Sequence, residues 1–272
     1  MKKKKIDKFT MYLDEYLRGI SGDLFVNGSR EPAFMWIIKK EARGLLGVDL
    51  GANIGYTTLF MCKKMDRVIA IEPDIKSRRI LNRNINYNGF AKKTIIYEFA
   101  ISDKNSSETI YINRNRPNLN SLYNTGNQDC YELIIETRTI DSLDIEPNFI
   151  KMDIEGYEIE ALRGSYKTLS RSKLCKLLIE VHPQYYSKDR DFELVLEDLL
   201  KMGFNFKYVV SAGIPNPLPI IQKKYKPVKE FQTKGKHCRG LYEGIKNEDA
   251  IEFSTKLYND TKIVRSILLV KE

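Results

Sequence analysis

Val48-Asp49-Leu50-Gly51-Ala52-Asn53-Ile54-Gly55, followed on the next apolar run by Val68-Ile69-Ala70-Ile71-Glu72, is the stretch on which the fold turns. A short apolar strand runs into a turn bracketed by glycines, and the following strand ends on an acid about 20 residues beyond the first of them. Glycine is needed where the backbone must come close to a ligand, and a carboxylate at that spacing holds both hydroxyls of a ribose. The two features together describe a site for a nucleotide-type cofactor.

The glycine spacing selects among such cofactors. A dinucleotide fingerprint reads G-x-G-x-x-G, its middle glycine making room for a pyrophosphate; here Asn53 stands in that place and only Gly51 and Gly55 remain. No G-x-x-x-x-G-K-[ST] run is present to cradle phosphates. S-adenosylmethionine carries an adenosine without a phosphate, which fits a loop that keeps the turn and lacks the pyrophosphate glycine. The competing reading is an ordinary turn between a strand and a helix.

With 272 residues, 42% of them hydrophobic and 30% charged, the chain can bury one good core and a small appendage. No apolar run approaches the roughly 18 residues of a membrane helix, and Asp7 and Lys8 interrupt what would be a signal segment after Met1–Lys5. A cytoplasmic enzyme is expected. Cys62, Cys130, Cys175 and Cys238 are widely spaced with no C-x-x-C pair, so reduced thiols are expected rather than zinc or disulfides. The net charge of +9 draws on Lys2–Lys5 and on Lys223, Lys224, Lys226 and Lys229. Such a surface attracts RNA, anionic lipid or acidic sugars without specifying any of them, and a solvated lysine face is the commoner explanation.

Residues 1–30 read as an N-terminal helix, with Phe9, Tyr12, Leu13, Tyr16 and Leu17 at helical spacing, then a loop holding Gly19, Gly22 and Gly28. A second helix is expected over 31–43, with Pro32 in its first turn. Residues 1–40 thus form a helical cap and 41–272 the main domain. From Leu45 short apolar runs alternate with helical segments, the mark of a mainly parallel α/β sheet covered on both faces. Strands are expected near 45–50, 67–72, 94–101, 148–153, 174–181, 204–210 and 263–270, seven in all, with an inserted pair at 108–113 and 131–138. The stretch 114–129 between that pair, rich in Asn, Pro and Gly, reads as a mobile loop. Residues 211–236 are too rich in proline and lysine for a core element, and 211–260 is expected to fold over the ligand edge as a substrate-covering insertion.

Three distant segments meet at the carboxyl edge of such a sheet, where open α/β folds bind ligands. They are the Gly51–Gly55 loop with the start of the next helix at Tyr56, then Glu72 with Ala100-Ile101-Ser102-Asp103, and Asp153-Ile154-Glu155-Gly156-Tyr157-Glu158. Free N–H groups at the helix start can receive a carboxylate. Asp153 and Glu180 end neighbouring strands, with Glu155 and His182 close by. Lys151 lies in a strand that should be buried, so it is expected either to snorkel to an edge or to pair with an acidic neighbour.

Here the chain resembles the FkbM family of S-adenosylmethionine-dependent methyltransferases. The likeness rests on Val48–Tyr56, with Asp49, Gly51, Asn53 and Gly55, then Ile71-Glu72-Pro73 and Ala100-Ile101-Ser102-Asp103. It continues in Thr139-Ile140-Asp141-Ser142-Leu143, in Ile150-Lys151-Met152-Asp153-Ile154-Glu155-Gly156-Tyr157-Glu158 and in Ile179-Glu180-Val181-His182. These matches cover roughly half the chain. The resemblance implies a Rossmann-like class I methyltransferase core and transfer to a hydroxyl of a saccharide or small secondary metabolite.

Methyl transfer from a sulfonium is an in-line displacement, so the protein must chiefly align the acceptor oxygen and exclude water. A neutral alcohol also needs help with its proton, from a carboxylate, a histidine or a divalent cation. Asp153, His182 and Glu180 are the catalytic candidates, His182 being the leading general base. Asp49, Gly51, Asn53, Gly55, Tyr56, Glu72, Ser102, Asp103 and Asp153 are the cofactor candidates. Oxygen ligands of this kind suit a magnesium-like ion; the preferred reading has no metal, with Asp153 holding the cofactor's amino group and Glu155 orienting the Gly156 turn. An RNA methyltransferase is the second reading, tolerated by a pI of about 9.1. Against it, no RNA-binding module is recognisable, and Asp-Ile-Glu-Gly replaces the Pro-Pro-aromatic turn suited to methylating base amino groups. A non-catalytic nucleotide-binding subunit is the third.

Overall fold

The computed structural model describes residues 1–16, 19–113, 120–122, 130–213, 217–233 and 238–272. A hairpin of β1 (Lys2–Ile6) and β2 (Phe9–Leu13) comes first, then helices α1 (Ile20–Asn27) and α2 (Pro32–Glu41). The sheet is entered through β3 (Gly44–Leu50), α3 (Tyr56–Cys62), β4 (Met65–Ile71), α4 (Ile75–Tyr87) and β5 (Thr94–Tyr97). A side sheet of β6 (Ala100–Ile101), β7 (Ser106–Asn113) and β8 (Cys130–Arg138) follows. The chain returns through β9 (Phe149–Met152), α5 (Glu158–Arg163), α6 (Tyr166–Arg171), β10 (Cys175–Glu180), α7 (Phe192–Lys201) and β11 (Asn205–Ser211). It ends with α8 (Leu218–Gln222), β12 (Lys229–Gln232), β13 (Cys238–Glu243), α9 (Asn247–Thr255), the two-residue strands β14 (Leu257–Tyr258) and β15 (Thr261–Lys262), and β16 (Val264–Lys271).

The main sheet has nine strands in the order β12-β13-β11-β16-β10-β9-β3-β4-β5. Neighbours from β10 through β5 are parallel, while β16, inserted between β10 and β11, is antiparallel to both. Alternate side chains leave the sheet on opposite faces. Val48, Leu50, Ile150 and Ile179 enter one core with α5, α6, α7 and α9, whereas Val68, Ala70, Phe149 and Leu178 enter a second with α2, α3, α4 and the hairpin.

Nine strands replace the seven expected because β12 and β13 extend the sheet beyond β11. The 211–236 region was expected to be too irregular for this. Phe231 and Leu241 are nevertheless buried, and Ser211 Oγ accepts from the Gly240 N–H at 2.9 Å, so Lys229 of β12 sits on an edge strand with a buried face. The expected strand over 94–101 is broken: Thr94–Tyr97 pairs with β4, and Ala100–Ile101 turns away to pair with β8. The inserted pair itself is present as β7 and β8. Most of the loop expected over 114–129 lies outside the described residues, as does Leu17.

The N-terminal helix is also overturned. Burial in β2 alternates, with Phe9, Met11 and Leu13 inside and Thr10 and Tyr12 at the margin, a period of two where a helix would show 3.6. The open edge of β2 is completed by side chains of α4. Asn84 Oδ1 accepts from the Tyr12 N–H at 2.6 Å and its Nδ2 donates to the Tyr12 carbonyl at 3.0 Å; Asn88 does the same for Thr10 at 3.1 and 2.9 Å. Two amides one helical turn apart therefore act as a surrogate strand, satisfying backbone groups that would otherwise be buried unpaired. Residues assigned to the glycine loop instead form α1.

Asn84 Nδ2 also donates to the Ile54 carbonyl at 2.7 Å, so the hairpin and the glycine-bracketed loop hang from one side chain. Asn84→Ala is expected to cost about 2–3 kcal/mol by stranding these groups, seen as a lower melting temperature and earlier tryptic cleavage at the N-terminal lysines. An unchanged melting curve would show that the hairpin is held by its apolar face alone.

Candidate active site

The turn after β3 is built on close approach. Gly51 has φ 73°, and a Cβ there would be driven into the Asp153 carbonyl oxygen at the end of β9. Lys151 fastens the two strand ends from beneath: its Nζ donates to the carbonyls of Leu50 (3.0 Å) and Gly51 (2.8 Å) and lies 3.1 Å from Asp49 Oδ1. Of the two arrangements expected for Lys151, the structure has the acidic pair, with Asp49. Burial opposes the lysine charge, yet Asp49 and Asp153 outweigh it and hold its pKa above the ordinary value. Asp49 Oδ2 in turn accepts from Thr57 Oγ1 and Thr58 Oγ1, at 2.8 and 2.6 Å.

Glu72 shapes the other side of the turn. Its two carboxylate oxygens accept from the N–H groups of Asn53 (2.8 Å) and Asp74 (2.9 Å), and Asn53 takes a positive φ of 49° to reach it. Burial pushes the Glu72 pKa up to about 7, against the pull of those backbone donors. Each oxygen keeps a lone pair for a further donor.

Gly51, Asn53, Glu72 and Asp153 line one cleft at the carboxyl edge, together with Leu50, Ile71, Pro73, Ala100, Ile101, Glu155 and Tyr157. The cleft encloses about 730 Å³, part of it open to solvent. Asp153 Oδ1 is buried there without a hydrogen-bond partner among the described residues. Burial raises the Asp153 pKa, Lys151 opposing and Glu155 adding to the rise.

Other candidates lie elsewhere. Asp49 is fully buried beneath the turn, away from the cleft wall. Tyr56 borders a smaller adjoining cleft with Arg30, Glu31, Lys151 and Asp153. Gly55 has φ 87° and packs on Leu81, where a Cβ would come within 2.7 Å of Cδ1. Ser102 is buried, its hydroxyl bonded to Asp103 and Glu108, while Tyr157 Oη donates to the second Glu108 oxygen at 2.5 Å. Ser102 and Asp103 thus brace Tyr157 instead of lining the cleft.

His182 stands behind Glu155, its Nδ1 3.0 Å from Glu158 Oε1 and its Nε2 3.4 Å from Glu155 Oε2 and 3.7 Å from Glu180 Oε1. Burial disfavours its charge, but Glu158 and Glu155 prevail and raise its pKa well above the ordinary histidine value. Both ring nitrogens face carboxylates, an arrangement that favours the protonated ring over the free base. Asp153, Glu155 and His182 offer ligand atoms within 4.8 Å of one another. Glu180 faces Arg265 at 2.7 Å, and Arg265 also bonds Glu31.

Arg30, which lines both clefts, escaped the sequence reading: it precedes Glu31-Pro32 in an irregular connection, and no motif marks it. Its Nη1 lies 2.8 Å from Asp23 Oδ2 and its Nη2 3.6 Å from Glu31 Oε1. Glu31 and Arg265 were equally invisible, their partners being remote in sequence. All four cysteines are free. Among the described residues no helix is long and apolar enough to cross a membrane.

A sequence profile described as the Methyltransferase FkbM domain matches residues 49–206, more than half of the chain. A search of curated proteins finds no match. Among solved structures, a methyltransferase FkbM from Methylobacillus flagellatus KT is 22% identical with a TM-score of 0.42, covering 74% of this chain. This chain spans 44% of the length of that one. A precorrin-6y C5,15-methyltransferase from Geobacter metallireducens GS-15 is 10% identical with a TM-score of 0.45, covering 96% of this chain and 98% of its own. An rRNA methylase from Streptococcus thermophilus is 13% identical with a TM-score of 0.41, covering 80% of this chain and 98% of its own.

Replacing Lys151 with methionine leaves Asp49 charged and buried without its cation and takes a donor from the strand-end carbonyls of Leu50 and Gly51, of which Leu50 keeps the Asp153 N–H at 3.3 Å. A loss of about 3–5 kcal/mol is expected, measurable by urea denaturation. Asp49→Asn added to Lys151→Met should recover part of it; a single mutant as stable as the parent would mean that the pair carries no weight.

Proposed function

This chain belongs to the FkbM methyltransferase family, and from that premise we propose that it transfers the methyl group of S-adenosylmethionine to a hydroxyl of a saccharide or other small hydroxylated molecule. The observation that carries the reading is the cleft in which Glu72, splinted by two backbone donors, faces the same space as the unpartnered Asp153 Oδ1. These features fit an adenosine-bearing cofactor with a positive centre. Glu72 would take the ribose hydroxyls, Ile101 and Ala100 would flank the adenine, and Arg30 would pair with the methionine carboxylate. Bound there, the cofactor supplies an electrophilic methyl group on a sulfonium.

The remaining work falls to the protein. Asp153, made more basic by burial, accepts the proton of the acceptor hydroxyl as the new C–O bond forms. The Lys151 ammonium, paired with Asp49, favours the charged form of that carboxylate through its field. His182, protonated between Glu158 and Glu155, supplies positive charge where a divalent cation would otherwise be needed, so the reading requires no metal. That role replaces the general-base role expected for His182, and Glu180 serves by anchoring Arg265. RNA remains a weaker alternative: the basic pI tolerates it, and no residue arrangement described here favours it.

Asp153→Asn is expected to lower turnover on the order of 10²- to 10⁴-fold while S-adenosylhomocysteine affinity changes less than about tenfold. Calorimetry beside a transfer assay separates the outcomes: lost affinity with it would place Asp153 on the cofactor's amino group, and full activity would remove it from the site. Failure of the parent protein to retain the cofactor would sink the reading. Ribose hydroxyls donate to the charged form of Glu72, so binding requires its deprotonation. Cofactor affinity should therefore be level above pH 7 and fall by about tenfold per unit below it. Glu72→Gln should bind weakly with no such slope; a wild-type profile flat from pH 5 to 8 would contradict the placement.

A further inference from the structure

Behind the cofactor cleft lies a second cavity of about 1270 Å³, also partly open to solvent. Ser29, Arg30 and Glu31 line it together with Gln232, Arg239 and Arg265. Arg30 and Arg265 are accounted for by carboxylates: Arg30 by Asp23, which also borders the cavity, and Arg265 by Glu31 and Glu180. Arg239 is different. Among the described residues it forms no ion pair and no hydrogen bond, although it is half-buried and sits beside another guanidinium. Burial and then the like charge of Arg265 lower its pKa, and the carboxylates of Glu31 and Glu180 recover only part of the loss. The Arg265 Nε is buried without an acceptor as well.

A guanidinium held out of water without an acid carries an uncompensated cost, and its planar fork matches the two oxygens of a carboxylate or phosphate. The position of the cavity says which molecule brings that group. Arg30 is a wall shared by this cavity and both clefts, and Glu31 borders the cavity and the smaller cleft that contains Asp153. A molecule anchored at Arg239 therefore extends past Arg30 toward the transfer site.

We propose that the methyl acceptor is an anionic hydroxylated molecule, its carboxylate or phosphate seated on Arg239 and Arg265 and its hydroxyl presented to Asp153. This deepens the methyltransferase reading and rests on it. Charge selection places one hydroxyl opposite the methyl donor and leaves neutral sugars without an anchor. The same arginines extend the basic character of the chain from solvated surface lysines to a defined pocket.

The test is calorimetric titration of the protein loaded with S-adenosylhomocysteine, using glucose 6-phosphate, glucuronate and glucose. At least one charged sugar should bind roughly tenfold or more tighter than glucose, and the better of the two tells phosphate from carboxylate. Arg239→Gln should erase that advantage without changing S-adenosylhomocysteine affinity or the melting temperature, and Arg239→Lys should keep part of it. Charged sugars that bind no better than glucose, or an Arg239→Gln protein that binds them like the parent, overturn the proposal. Inorganic phosphate titrated into the cofactor-free protein reads the cavity independently. Phosphate binding that needs Arg239, in a protein that does not bind S-adenosylhomocysteine, would fell the methyltransferase reading and leave the anion site; the reverse pattern would fell only the anion site.

Discussion

A single buried ammonium holds the carboxyl edge together. Lys151 rises from the middle of the sheet, and its donors are divided between Asp49 and the last two carbonyls of the neighbouring strand end. Those carbonyls belong to Leu50 and Gly51, where the chain leaves the sheet: Leu50 still accepts from the Asp153 N–H at 3.3 Å, and Gly51 lies beyond the paired residues. A lysine in an apolar strand would ordinarily be costly. Here it gives both carbonyls a donor, lets β3 and β9 approach until only glycine fits between them, and leaves Asp153 poised over the cleft.

Charge at this edge is arranged in a graded network. Glu158 and Glu155 hold His182 as a cation, while Glu180 and Glu31 share Arg265. Among the described residues, two carboxylate oxygens at this edge are buried with no partner at all, Asp153 Oδ1 and Glu180 Oε2, while Asp49 Oδ1 has the Lys151 ammonium beside it. The contrast between satisfied and unsatisfied groups separates what supports the site from what is available to a ligand. On the cationic side the same contrast singles out Arg239.

The parts that surround the family domain are joined to it by polar contacts of long sequence separation. The amides of Asn84 and Asn88 stand in for a strand beside the hairpin, and Glu41 gathers Lys176 and Lys207 from β10 and β11. Arg265, on the last strand, reaches Glu31 at the start of α2. The second cavity draws its lining from the N-terminal segment, from the late extension of the sheet and from Arg265.

Much of the core was legible because its signals are local. Val48–Leu50 and Val68–Ile71 are apolar runs long enough to be strands, Gly51 and Asn53 mark a turn needing positive φ, and Glu72 follows at a spacing set by one βαβ unit. That a buried Lys151 must reach an edge or an acid also follows from residue chemistry alone, and the assembled sheet supplies the acid. The hairpin was missed because Phe9, Tyr12 and Leu13 satisfy a helical period as well as Phe9, Met11 and Leu13 satisfy a strand period. Only the Asn84 and Asn88 amides, some seventy residues away, decide between them. Burial in β12 was hidden for the same reason, since Phe231 is inside because β13 pairs with its strand and the Trp36 ring of α2 packs on it at 6.0 Å. The partners of His182, and hence its charge, are likewise a property of assembled space: proton affinity depends on which carboxylates lie within a few ångströms, a distance that sequence spacing does not encode.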